Sequence, residues 1–101
     1  MSKIEEIKMS KIEEIKRRFK KDCIYKADVY TDRNMLRLGL DSLLGYYRQY
    51  LAGVFMFTED FTPEEYKAEV AEAGYFVKKV LRLWESAPAE LDAMLESLDE
   101  K

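Results

Sequence analysis

The sequence predicts an all-α fold, a compact bundle of about four helices with two long central antiparallel helices and a shorter C-terminal one. Three observations predict it. Apolar residues recur at three- and four-residue spacing through most of the chain, helix-start signals precede the periodic stretches, and no two segments offer matched strand patterns. With 101 residues, 48% of them hydrophobic and 37% charged, the chain has the makings of one domain with one modest core.

The first sixteen residues are two copies of MSKIEEIK. A repeat this short, followed by non-repetitive sequence, does not make a solenoid. Residues 1–8 therefore read as a duplicated segment, either a recent duplication or a cloning-derived addition. Residues 9–101 read as the single helical domain. Ser2 with Glu5 and Ser10 with Glu13 both have the spacing of a capping box, so either serine suits the start of the first helix. That helix runs to about Tyr30, with Ile12, Ile15, Phe19, Cys23, Ala27 and Tyr30 on its apolar face. Residues 23–30 also alternate in a way that suits a strand, but nothing pairs with them, so helix is preferred.

Asp32 or Thr31 suits the N-cap of a second helix from Arg33 to Phe57. Its core stripe is Leu36, Leu40, Leu43, Leu44, Tyr47, Leu51, Val54 and Phe55. Met35, Leu38, Tyr46, Met56 and Phe57 lie off that stripe, which predicts an exposed apolar patch and a possible homodimer. Gly39, Gly45 and Gly53 lie inside the helix at a cost of about 1 kcal/mol each, which suggests close approach of another helix, or a kink.

The clearest local signal is Thr62-Pro63 followed by Glu65: an N-cap, a proline at the first helical position and a capping-box glutamate. Phe61 and Tyr66 are spaced as a hydrophobic staple. The third helix runs to Trp84 or Glu85, with Tyr66, Val70, Ala73, Val77, Val80, Leu81 and Trp84 inward. Ser86-Ala87-Pro88 breaks it, and a short fourth helix follows with Leu91, Met94, Leu95 and Leu98 inward.

The chemistry available is thin. The chain has no histidine and one cysteine, Cys23, which removes the imidazole base, the usual zinc nitrogen ligands and any internal disulfide or iron–sulfur cluster. Neither catalytic residues nor a cofactor is implied. The N-terminus lacks a signal peptide's apolar stretch, and the longest apolar run, Tyr50 to Phe57, is too short to span a bilayer, so a cytoplasmic location away from membranes is expected. The net charge of −3 is uneven: Lys16 to Arg48 holds nine basic and four acidic residues, and Thr58 to Lys101 five basic and twelve acidic. Such asymmetry steers a charged partner or lets the two segments pack together.

Three candidate sites remain. Tyr46, Tyr50, Arg48, Met56, Phe57, Tyr75 and Arg82 are the aromatic, methionine and arginine residues that interfaces favour. They point to a non-catalytic protein-binding module, an inhibitor or adaptor of the antitoxin, immunity or phage anti-defence kind. Residues 69–85 come close to a helix-turn-helix pattern but place Ala71 and Gly74 three apart instead of four. With Lys16, Arg17, Arg18, Lys78, Lys79 and Arg82 for phosphates, they give a DNA-binding regulator as the alternative, disfavoured by a pI of about 5.1. Glu65, Glu69 and Glu72 share one helix edge and suggest a Mg²⁺-dependent nucleotide enzyme, although Asp41 alone faces them from the second helix.

Overall fold

The computed structural model describes residues 3–57 and 61–99, with side chains described for 12–56 and 61–98. It contains α1 (Lys3–Val29), α2 (Arg33–Phe57), α3 (Pro63–Ser86) and α4 (Pro88–Asp99). Each boundary has a local cause. Tyr30 N–H still reaches the Lys26 carbonyl at 3.0 Å, so α1 closes its last turn there. Asp32 then opens α2: its Oδ1 accepts the backbone N–H groups of Asn34 at 2.8 Å and Met35 at 3.1 Å, two donors that α2 itself leaves unpaired.

The α3 start is a complete capping box. Thr62 Oγ1 accepts Glu65 N–H at 3.1 Å, and Glu65 Oε1 accepts Thr62 N–H at 3.1 Å. The rings of Phe61 and Tyr66 meet edge to face at 6.4 Å, which fixes the angle at which the chain enters α3. At the far end Ala87 N–H donates to the Leu83 carbonyl at 2.7 Å, and Pro88 begins α4 one residue later. Residues 23–29 are helical throughout. Since α1 already runs through Ser10, that residue is interior and does not open the helix; Ser2 lies outside the described residues.

Helix directions follow from the pairs in contact. Phe19 of α1 stacks on Tyr47 of α2 at 4.6 Å, and Tyr30 lies against Gly39, so α1 and α2 are antiparallel. Arg33 pairs with Glu85 at one end of α2, and Phe55 meets Phe61 and Tyr66 at the other, so α2 and α3 are antiparallel too. Lys16 beside Glu69 and Phe19 beside Phe76 make α1 and α3 parallel. The short α4 packs on α1 and α3 and not on α2. Thus α1 and α3 are the two helices that touch every other one.

This arrangement explains which residues are buried. Cys23, Ile24, Leu36, Leu40, Leu51 and Val80 have no exposed surface. Each large aliphatic among them contributes roughly 1.5–3 kcal/mol by leaving water. Ile24, Phe76 and Leu83 were not on the predicted stripes yet are buried. They belong to α1 and α3, which meet partners on more than one side and so bury more than one face. Phe55, expected in the core, is 37% exposed and packs at the edge against Phe61 and Tyr66.

Two further expectations are corrected. A Cβ at Gly39 would stand 3.0 Å from the Tyr30 ring, so close approach explains that glycine, but a Cβ at Gly45 or Gly53 would meet nothing within 4 Å. In addition, α3 is one unbroken helix through Gly74, with no turn between two helices, so the helix-turn-helix pattern in residues 69–85 is not realised.

Candidate interaction surface

Three long helices packed together leave an outer groove along each pair. Placed as it is on α1 and α3, α4 packs along the groove between them, and no described helix lies over the two grooves that flank α2. Of these, the α1–α2 groove holds an open, largely apolar volume. Ile15, Arg18, Phe19 and Asp22 line that groove from α1, and Leu43, Tyr46, Tyr47 and Tyr50 line it from α2, around an open volume of about 300 Å³. The stacked rings of Phe19 and Tyr47 make its floor. Its rim is tyrosine: Tyr46 is 64% exposed and Tyr50 63%. Elsewhere on the same two helices Tyr25, Val29, Met35 and Leu38 are also exposed, so the apolar surface is not confined to the groove.

Helix geometry sorts the predicted interface residues. Successive residues turn by about 100°, so Tyr46 and Tyr50 fall about 40° apart, while Arg48 lies about 160–200° from either. Tyr46 and Tyr50 are therefore brought together, and Arg48 is on the opposite flank of α2. Met56, though strongly exposed, projects from the back of α2, away from its core side. The Phe57 side chain lies outside the described residues. Tyr75 and Arg82 are exposed on α3 together with Lys78 and Lys79, away from the groove. Ile15 and Leu43, placed on core stripes by the sequence, do pack against the core and line the groove as well, while nothing in the sequence singled out Asp22. Arg18 was assigned to phosphate, and its groove position came only with the pairing of α1 and α2.

Electrostatics divide the basic cluster of α1. The Lys16 amine sits 3.1 Å from Glu69 Oε2 and 3.4 Å from Glu72 Oε2, and Lys20 lies 3.9 Å from Glu72. Desolvation alone would lower the Lys16 pKa, but the carboxylates of Glu69, Glu72 and Glu13 outweigh it and raise it above the ordinary value. Lys16 is thus an internal counter-ion to Glu69 and Glu72. Here the basic and acidic segments of the chain pack together. Tyr47 reaches the same region: burial first, then the negative charges of Glu69 and Glu72, push its phenol well up. Tyr47 Oη and Glu69 Oε2 are both buried without meeting hydrogen-bond geometry, beside a void of about 10 Å³.

The remaining charges sort by their partners. Arg18 and Asp22 make no ion pair with each other or with another described residue. Arg17 borders two open clefts with Glu14 and Leu98, where both signs of charge meet. The carboxylates proposed for Mg²⁺ have other roles, Glu65 in the α3 cap and Glu69 and Glu72 on Lys16, and no metal-ligating group of three occurs among the described residues. Nor is any helix among the described residues long and apolar enough to cross a membrane. No protein-family model matches the chain, and no curated protein or solved structure is significantly similar to it.

Proposed function

We propose that this chain is a non-catalytic protein-binding module that acts in the cytoplasm as an inhibitor or adaptor, docking through the face formed by α1 and α2. One observation carries the reading. The groove between α1 and α2 is left uncovered where α4 covers its counterpart, and its rim is Tyr46 and Tyr50. Tyrosine presents a large rigid apolar ring with a polar tip, and it dominates the energetic centres of protein interfaces. The antitoxin, immunity and anti-defence classes are small domains of this kind, which act by occupying a larger target.

Affinity capture from the native host tests the reading, comparing wild type with Tyr46→Glu/Tyr50→Glu and with Lys78→Glu/Lys79→Glu. A protein recovered with wild type and with the lysine pair, but reduced roughly tenfold or more with the tyrosine pair, supports it. A partner lost only with the lysine pair would move function to the outer face of α3. If that partner were a nucleic acid, it would revive the DNA-binding alternative.

A further inference from the structure

We propose that the groove between α2 and α3 binds a single-stranded nucleic acid. Like the α1–α2 groove it has no described helix over it, but its chemistry differs. Phe55 and Glu85 mark the seam, since the first packs on Tyr66 of α3 and the second pairs with Arg33 of α2. On α2, Arg37 and Arg48 precede Phe55 by eighteen and seven residues. On α3, Lys67 and Lys78 precede Glu85 by the same two intervals. Both intervals are close to whole turns, so each cation stands within about 20° of a residue that faces across the seam. All four are exposed, and none pairs with a described residue.

The antiparallel register interleaves them. With Arg33 level with Glu85 and Phe55 level with Tyr66, the order along the groove is Arg37, Lys78, Arg48, Lys67, at steps of about 7–10 Å. Such steps lie within the screening length of about 10 Å at 0.1 M salt, so the four charges repel one another. Asp41 and Glu64 stand about 40° and 60° round their helices from the row and offset it only in part. A positive row therefore remains on a chain of net charge −3. Tyr75 and Arg82 lie further round α3, outside it. A row one cation wide matches a chain that carries one anion per unit. Phe55 selects among such chains: its ring is 37% exposed beside Tyr66, at the Lys67 end, where a base stacks while the phosphates follow the cations. An acidic peptide would satisfy the cations and leave the ring unused.

Fluorescence anisotropy of a labelled oligothymidylate, titrated with the full chain, tests this. Binding should weaken with salt at a logarithmic slope near −3, about −0.7 for each of four phosphates neutralised. Arg48→Glu should weaken binding roughly tenfold or more, whereas Arg17→Glu, the same change in net charge placed on α1, should leave it within about twofold. Phe55→Leu should lower affinity roughly fivefold with the slope unchanged, the signature of a lost stack. Circular dichroism and thermal melting of each variant check the fold. Tyr46→Glu/Tyr50→Glu should bind the strand like wild type, so this site and the tyrosine face fail separately. No binding at low salt would overturn the proposal, as would equal losses from Arg17→Glu and Arg48→Glu, which would reduce the effect to net charge. Polyglutamate that displaces the strand as well as unlabelled oligothymidylate does would overturn it in favour of an acidic polypeptide. Equal affinity for a duplex would overturn the preference for a single strand.

Discussion

At the scale of single residues, the fold holds three groups more firmly protonated than they are in water, Cys23 and Tyr47 in the core and Lys16 half-buried at its edge. Burial and the nearby Asp22 push the Cys23 thiol up to about 12, partly offset by Lys26. Tyr47 and Lys16 are raised as well, the first by burial and the second by its carboxylates. The sign of the linkage is the same for all three. Their contributions are intact below the ordinary values of 9.0, 10.0 and 10.5, and are lost as pH climbs from those values toward the raised ones. Urea melts should therefore give a midpoint that holds up to pH 9.0 and falls above it. In Cys23→Ala the midpoint is lower throughout from lost packing, but its decline should begin only near the phenol value of 10.0. An alkaline decline that begins at the same pH in both proteins would show that Cys23 does not couple to it. Its burial also predicts that the native thiol reacts with aromatic disulfide reagents only on unfolding.

At the scale of the helix, local chemistry decides the boundaries, and most of that was legible in the sequence. Asp32, Thr62, Pro63 and Pro88 each act where their side chains or rings require. Thr62→Ala should cost about 0.5–2 kcal/mol in denaturant melts, because it leaves Glu65 N–H without its acceptor; unchanged stability would contradict the cap. Glycine was less legible, since sequence alone does not separate a glycine that admits a neighbour from one that faces open space. The structure separates them. Gly45→Ala and Gly53→Ala should each stabilise α2 by up to about 1 kcal/mol. At Gly39 a Cβ would stand 3.0 Å from the Tyr30 ring and 3.1 Å from the Lys26 side chain, so Gly39→Ala should gain nothing or destabilise. Equal gains at all three positions would contradict the Tyr30–Gly39 packing. The groove residues were half legible for a geometric reason. Tyr46 and Tyr50 were evident from residue type, but Arg48 lies between them in sequence and across the helix in space. Ile24, Phe76 and Leu83 escaped because a single apolar stripe describes a helix with one partner, and α1 and α3 each have three.

At the scale of the whole molecule, the register of the helices bears on the duplicated N-terminus. The offset that sets Phe19 on Tyr47 brings the end of α2 level with Met9, and the offset that sets Lys16 between Glu69 and Glu72 brings the start of α3 close to the same point. Residues 3–8 of the first copy thus extend beyond the ends of α2 and α3, and Ser10 with Glu13 retains the capping-box spacing for a chain beginning at Met9. Deleting residues 1–8 should leave the melting temperature and any association unchanged; a loss of either would place the first copy in the fold. Helix count, order and topology follow from amphipathic stripes and short connections. That α4 covers the α1–α3 groove and not the α1–α2 groove depends on how the loops close, and no single segment encodes it. That choice creates the candidate site.

The central claim is that another polypeptide lies against the uncovered α1–α2 face. The most direct measurement places a photoactivatable benzoylphenylalanine at position 46, and separately at position 75 on the outer face of α3, and irradiates each in the native host. The account predicts a covalent adduct heavier than the chain from position 46, formed with a second copy or with a target protein, and none from position 75. Adducts from position 75 with none from position 46 would contradict it.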